Sequence, residues 1–154
     1  FGRGIGAWAI AIASVPAMLS KPLWGILIDK HPAKPLAALS ASATGFSLAL
    51  IVFAALSEDL VLVYIGYVFL GLGWGGMLPM QEVIWASFFG RRYIGSIRGA
   101  AMPFSLALGA PIPWLVSYYR DFTGGYHEAF FAVAALNILS GLMIFFVPKP
   151  RRSI

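Results

Sequence analysis

Residues 60–89 read LVLVYIGYVFLGLGWGGMLPMQEVIWASFF, an apolar run in which Glu82 is the sole charged residue. A helix needs about 20 apolar residues to cross a hydrocarbon layer of roughly 30 Å, so this run exceeds one crossing. Four further apolar stretches fill most of the remaining chain. The sequence therefore predicts five membrane-spanning helices, at about residues 7–28, 36–56, 60–89, 99–119 and 129–147.

The composition also favours a membrane protein over a soluble one. The chain is 60% hydrophobic and 11% charged, whereas soluble domains carry about 25% charged residues. A soluble core of 154 residues could not bury so much apolar surface. We therefore expect an all-α, polytopic transmembrane helix bundle whose first partner is membrane lipid.

The charged residues are sorted onto alternate gaps between the stretches. Eight of the eleven lysines and arginines lie after the first stretch, after the third and in the C-terminal tail: Lys30, Lys34, Arg91, Arg92, Arg98, Lys149, Arg151 and Arg152. The other two gaps hold Arg120 and four acidic residues: Glu58, Asp59, Asp121 and Glu128. Basic residues concentrate in cytoplasmic loops, so the pattern predicts a multi-pass protein of the plasma (inner) membrane with a cytoplasmic C-terminus. This sorting also explains the net charge of +5 without a nucleic-acid partner.

Lys21 interrupts the first apolar stretch. It precedes Asp29 by eight positions, which places it about 12 Å inside the cytoplasmic end of a helix. An ammonium group facing lipid is costly, so this side chain should face a wet cavity or a counter-charge. Ser14 shares its helical face, and together they would attract an anionic substrate. A snorkelling or structurally paired lysine is the alternative.

Glu82 is the second ionisable residue within an apolar stretch. Measured back from Arg91, it lies about 13 Å inside the membrane. Measured forward from Leu60, it lies about 33 Å along the helix and therefore at the lipid headgroups. At the deeper position Glu82 could pair with Lys21 or exchange a coupling proton. An interfacial carboxylate is the alternative.

Trp74 and Gln81 are further candidates for substrate contact in the third stretch, although aromatic residues at helical spacing more often pack against other helices. Glycines at Gly71 and Gly75 form a G-x-x-x-G pattern, and a second copy lies near the fourth stretch at residues 95–99. Such glycines let helix backbones approach closely. The alternative is that clustered glycine and proline permit bending.

Signatures of an enzyme are missing from the sequence. It contains no H-E-x-x-H, P-loop or nucleophile-elbow pattern. His31 and His127 belong to gaps assigned to opposite membrane faces, so they cannot share a metal ion. We expect no catalytic residues, no cofactor and no metal site.

The first gap reads GILIDKHPAK, from Gly25 to Lys34. It resembles the loop signature of the major facilitator superfamily, G-x-L-x-D-R/K-x-G-R-R/K, found between helices two and three and again between helices eight and nine. The matching positions are Gly25, Leu27, Asp29, Lys30 and Lys34, whereas Pro32 replaces a glycine and Ala33 an arginine. In the family this loop helps to hold the outward-open state, so the resemblance implies a conformational-switch loop here.

Two further stretches are similar to particular members of that family. FFGRRYIGSIRG, residues 88–99, looks like the loop between helices ten and eleven. DFTGGYHEAF, residues 121–130, is similar to the turn before helix twelve in monocarboxylate and oxalate/formate-type carriers. In those carriers an arginine followed by P-x-x-G on helix eight binds the substrate carboxylate. Lys21, Pro22 and Gly25 occupy that pattern here, although lysine lacks the bidentate fork of arginine.

By this resemblance the five spans correspond to helices eight to twelve of a partial major-facilitator fold. The chain is then expected to be a C-terminal half-bundle, residues 1–154, whose partner is the missing N-terminal half. The resemblance implies a secondary active transporter that moves a small organic anion by alternating access. A carrier of drugs, sugars or other neutral solutes, and a membrane assembly or sensor protein that does not transport, remain the alternatives.

Overall fold

A computed structural model describes residues 3–148 of the chain. Its helices are α1 (Arg3–Lys30), α2 (Ala33–Leu56), α3 (Leu60–Phe89), α4 (Ile94–Gly109), α5 (Pro111–Thr123) and α6 (His127–Phe146), with one turn of 3₁₀ helix at Arg91–Tyr93. Five helical segments are long and apolar enough to cross a membrane, with α4 and α5 counted together. The predicted all-α bundle of five spans is therefore confirmed. The basic tail residues Lys149, Arg151 and Arg152 lie outside the described residues.

Helix α3 lies between α1 and α2, and its glycines make both contacts possible. A Cβ added at Gly75 would lie 2.7 Å from the carbonyl oxygen of Ala17 in α1, and one at Gly71 would meet the carbonyl of Ala13. On the other side, a Cβ at Gly73 would lie 2.8 Å from the Thr44 hydroxyl of α2. The predicted packing role of the G-x-x-x-G in α3 is thus seen in the contact with α1.

The buried hydroxyl of Ser40 joins α2 to α3, and that of Thr44 is satisfied within α2. Ser40 is buried and donates a hydrogen bond of 2.7 Å to the carbonyl oxygen of Gly73. Thr44, one turn further along, donates to the carbonyl of Ser40 at 2.9 Å. Without water in the bilayer, each of these polar groups needs a partner inside the protein.

Helix α6 packs against the face of α2 that is turned away from α3. A Cβ at Gly45 would lie 2.7 Å from the carbonyl oxygen of Ala134, and one at Gly141 would lie 2.8 Å from that of Ala38. These pairs show that α2 and α6 run antiparallel. The bundle order is therefore α1, α3, α2, α6.

Most of the basic residues at the helix ends lie at one end of the bundle. Helices α1 and α3 run parallel and α2 runs antiparallel to both, so α1, α3 and α6 end where α2 begins. We call this the basic end of the bundle; it is marked by Lys30, His31, Lys34, Arg91 and Arg92. At the opposite end, Asp59 caps α3 by accepting a 3.0 Å hydrogen bond from the backbone N–H of Leu62.

The fourth segment differs from the single helix expected at residues 99–119. It starts earlier and ends later, and it is divided at Ala110 into α4 and α5. Pro111 and Pro113 have no N–H to donate, so two helical hydrogen bonds are lost at this point. No residue of α4 or α5 is buried. A Cβ at Gly95 or Gly99 would meet nothing within 4 Å, so the second G-x-x-x-G makes no helix contact in this structure.

Candidate functional site

An open cavity of about 590 Å³ lies between α1 and α3. Its lining includes all four residues predicted to contact a substrate: Ser14, Lys21, Trp74 and Gln81. The first two belong to α1 and the other two to α3, and these two helices are far apart in the sequence. We call this the α1–α3 cavity. Its volume falls in the range of about 300–1,000 Å³ that is common for small-molecule sites.

Helical spacing explains why these side chains share the cavity. On α3, residues Tyr67, Trp74 and Gln81 line the cavity at intervals of seven, which places them on one face of the helix. On α1, Ser14 and Lys21 repeat the same interval. Because small residues bring the two parallel helices close together, the two faces meet along one wall.

Lys21 is the one charged residue among those described that line the α1–α3 cavity. Its side chain is exposed, and it lies nine residues before Lys30, about 13 Å from the basic end. A lysine at the centre of a membrane helix costs about 2.5–3.5 kcal/mol on insertion scales. In this structure Lys21 belongs to the lining of a space between two helices.

The polar neighbours of Lys21 differ in what they can offer a ligand. The hydroxyl of Ser14 donates to the carbonyl of Ile10 at 2.8 Å, so its oxygen is left only as an acceptor. The amide of Gln81 and the indole N–H of Trp74 supply donors. Gly75 also lines the cavity, necessarily with its backbone. Its carbonyl lacks the usual helical donor because residue 79 is proline.

Glu82 does not meet Lys21 in this structure. Its carboxylate accepts a hydrogen bond from the guanidinium of Arg98 on α4, and the two groups form an ion pair. The side chains are 37% and 56% exposed, so the pair lies at the surface of the described chain. In this structure Glu82 therefore pairs with Arg98 and not with Lys21, and its depth in the membrane and its coupling role stay predictions.

A double-mutant cycle tests this assignment of partners. Because exposed ion pairs contribute little, we expect a coupling energy of at most about 1 kcal/mol between Glu82→Gln and Arg98→Gln. The coupling between Glu82→Gln and Lys21→Gln should be zero within error. Free energies of unfolding of the single and double variants in detergent measure both terms. A coupling to Lys21 larger than that to Arg98 would contradict the structure.

A second cavity, of about 720 Å³, is lined by residues of α2, α3 and α6 and extends to the basic end at Lys34 and Phe88. We call it the α2–α3–α6 cavity. Met77 and Gln81 line both cavities, so this turn of α3 forms the wall between them.

Comparison with known families decides what kind of protein carries these features. The family described as the Major Facilitator Superfamily matches residues 1–154, the whole chain. This chain belongs to the Major Facilitator Superfamily. It is a family of membrane transporters, in agreement with the five spans and with the non-enzymatic role predicted from the sequence. Neither a curated protein nor a solved structure gave a significant match.

The loop signature of this superfamily member lies at the basic end. Gly25, Asp29 and Lys30 occupy the last turns of α1, and Lys34 lies in the first turn of α2. The Asp29 side chain is exposed, and within residues 3–148 no ion pair engages it. The conformational-switch role of these residues stays a prediction.

Tyr67 is a polar residue of the α1–α3 cavity that was not predicted from the sequence. Tyr67 lines it and is partly buried there. The signal that would have found it is the interval of seven residues, since Tyr67 precedes Trp74 by the same distance that Trp74 precedes Gln81. Its phenol adds one more donor to the wall of α3.

Proposed function

We propose that this superfamily member is a secondary active transporter of a small organic anion, such as a mono- or dicarboxylate. The observation that carries the proposal is Lys21, the charged residue of the α1–α3 cavity, whose lining contains no acidic residue within residues 3–148. A cation between apolar helices with no acidic neighbour attracts an anion more strongly than the same cation in bulk water, because part of its surroundings has a lower dielectric constant.

The remaining lining suits the rest of such a substrate. The amide of Gln81, the indole N–H of Trp74 and the phenol of Tyr67 supply hydrogen-bond donors for oxygen atoms. The other walls are mainly apolar and accommodate a short carbon skeleton. Lys21 is a point charge with three donors, so this site orients a carboxylate less strictly than an arginine fork would.

The transport cycle in this proposal is alternating access. The chain forms a C-terminal half-bundle, and an N-terminal half completes the central cavity around Lys21. The loop at Gly25, Asp29, Lys30 and Lys34 closes the cytoplasmic side in one state. The sorting of charges supports a plasma-membrane protein with its basic end, and its C-terminus, in the cytoplasm.

Glu82 is the proposed coupling group. It follows Gln81 directly in sequence and is held by Arg98 on a helix that buries no residue. Protonation of the carboxylate would release this arginine, and α4 could then move relative to α3. Proton symport is one form of the proposal; exchange of one anion for another is the other.

The proposal is tested with the full-length protein reconstituted into lipid vesicles. A labelled carboxylate should accumulate against its gradient when a proton or counter-anion gradient is imposed. Unlabelled carboxylate should compete, whereas its primary amide, similar in size but neutral, should not. Equal competition by the acid and the amide would favour the runner-up below. No accumulation of any solute would favour a non-transporting assembly or sensor protein.

The runner-up is a carrier of drugs, sugars or other neutral solutes. It is favoured by the mainly apolar lining of the α1–α3 cavity, which includes Leu70, Met77 and Leu78. In that case Lys21 is structural, and its exposed side chain reaches polar surroundings by snorkelling.

A further inference from the structure

The α2–α3–α6 cavity is a long apolar slot. Along α3 its lining extends from Met77 to Phe88, about 16 Å at the rise of an α-helix. That length equals about half of the roughly 30 Å hydrocarbon core, which is the thickness of one leaflet. The large apolar side chains of the slot come from α3 and α6, and α2 contributes two alanines, Ala37 and Ala41. Those of α3 and α6 are Met80, Ile84, Phe88, Leu139, Met143 and Ile144.

One end of this slot carries a positive charge. Lys34, in the first turn of α2, is the charged residue among the described residues that line it. It is half-buried, whereas Lys30, at the same end of the bundle, is exposed. In the part of the chain that the structure describes, no acidic side chain lines the slot to neutralise it.

The buried polar group of the slot is already satisfied. The Ser40 hydroxyl donates to the carbonyl of Gly73 at 2.7 Å, so it does not need a ligand. Among the described residues that line the slot, charge is thus offered at the basic end, and the interior offers mainly apolar contact beside the neutral side chains of Gln81 and Ser140. This arrangement fits an amphiphile with an anionic head and an extended hydrocarbon tail, and it does not fit a compact polar solute.

We propose that the α2–α3–α6 cavity binds an anionic phospholipid of the leaflet at the basic end. Its phosphate contacts the Lys34 ammonium, and one acyl chain lies along α3 in the groove between α3 and α6, against the small residues of α2. The position of Lys34 at the headgroup level and the one-leaflet length of the slot carry this assignment. The site is separate from the cavity that contains Lys21 and does not depend on what the protein transports.

Trp85 lines the slot and provides the probe, since bromine atoms on an acyl chain quench indole fluorescence at short range. The full-length protein is reconstituted in vesicles with increasing fractions of brominated phosphatidylglycerol or brominated phosphatidylcholine. The component of quenching that disappears in the Trp85→Phe variant reports on this site. We expect half-quenching of that component at an about fivefold lower fraction of the anionic lipid, the preference that one basic residue near the surface provides.

The charge variants decide the role of Lys34. Lys34→Gln should abolish the fivefold preference, whereas Lys30→Gln, the matched control at the same end, should retain it within about twofold. Equal quenching by the two lipids in the unsubstituted protein would overturn the proposal, and so would equal effects of the two variants. Quenching that Trp85→Phe leaves unchanged would also overturn it, because the slot would then be covered by protein.

Lipid retention in native mass spectrometry, compared between Lys34→Gln and Lys30→Gln, provides a second readout that requires no change at Trp85.

Discussion

Replacing Lys21 by alanine is expected to reduce uptake of a small carboxylate by the full-length protein about 10- to 100-fold. The substitution removes the charge of the α1–α3 cavity and its three hydrogen-bond donors. A hydrogen bond to a charged group contributes about 1.5–3 kcal/mol, which corresponds to that range of rates at low substrate concentration. Initial uptake rates in vesicles, corrected for the amount of protein inserted, measure the effect.

Two further variants separate charge from packing. Lys21→Arg keeps the cation and should retain measurable uptake, although the planar guanidinium alters the geometry of contact. Arg91→Gln removes one positive charge from the exposed basic end and should change uptake less than twofold, because exposed charges are screened. If Lys21→Ala behaves like Arg91→Gln, Lys21 is structural and the neutral-solute function is preferred.

Replacing Gly71 by alanine is expected to lower the free energy of unfolding by about 1–3 kcal/mol. The added Cβ would collide with the carbonyl of Ala13, which belongs to the backbone of α1 and cannot rotate away. The two helices would have to separate, and contacts along their whole interface would weaken. Reversible denaturation in mixed detergent micelles measures the change.

Gly99→Ala is the matched control, because Gly99 also belongs to a G-x-x-x-G pattern. A Cβ there meets nothing within 4 Å in this structure. Alanine also has the higher helix propensity, by about 1 kcal/mol, so Gly99→Ala should be neutral or slightly stabilising. Equal destabilisation by the two substitutions would show that α4 packs as tightly as α3 does.

The two copies of the G-x-x-x-G pattern also show that a local pattern does not predict which helices are in contact. Gly71 and Gly95 have the same local signal, yet only the first lies against another helix. A glycine pattern indicates that another helix can approach closely. The rotation and position of the neighbouring helix decide whether that contact forms. For the same reason, the spacing of Ser14 and Lys21 predicted that they share a face of α1. It did not predict that Trp74 and Gln81 of α3 lie opposite that face.

The sequence by itself determined the number of spans and the all-α class, and the basic residues were already sorted onto alternate gaps. Each of those properties depends on one segment at a time, because a segment enters lipid according to its own length and polarity. Only the tertiary structure decided that α3 lies between α1 and α2, that Glu82 pairs with Arg98 and that α4 and α5 bury no residue. Those outcomes depend on contacts between segments far apart in the chain. How closely two helix backbones approach, and which hydrogen-bond partner a side chain finds, cannot be inferred from a local sequence pattern.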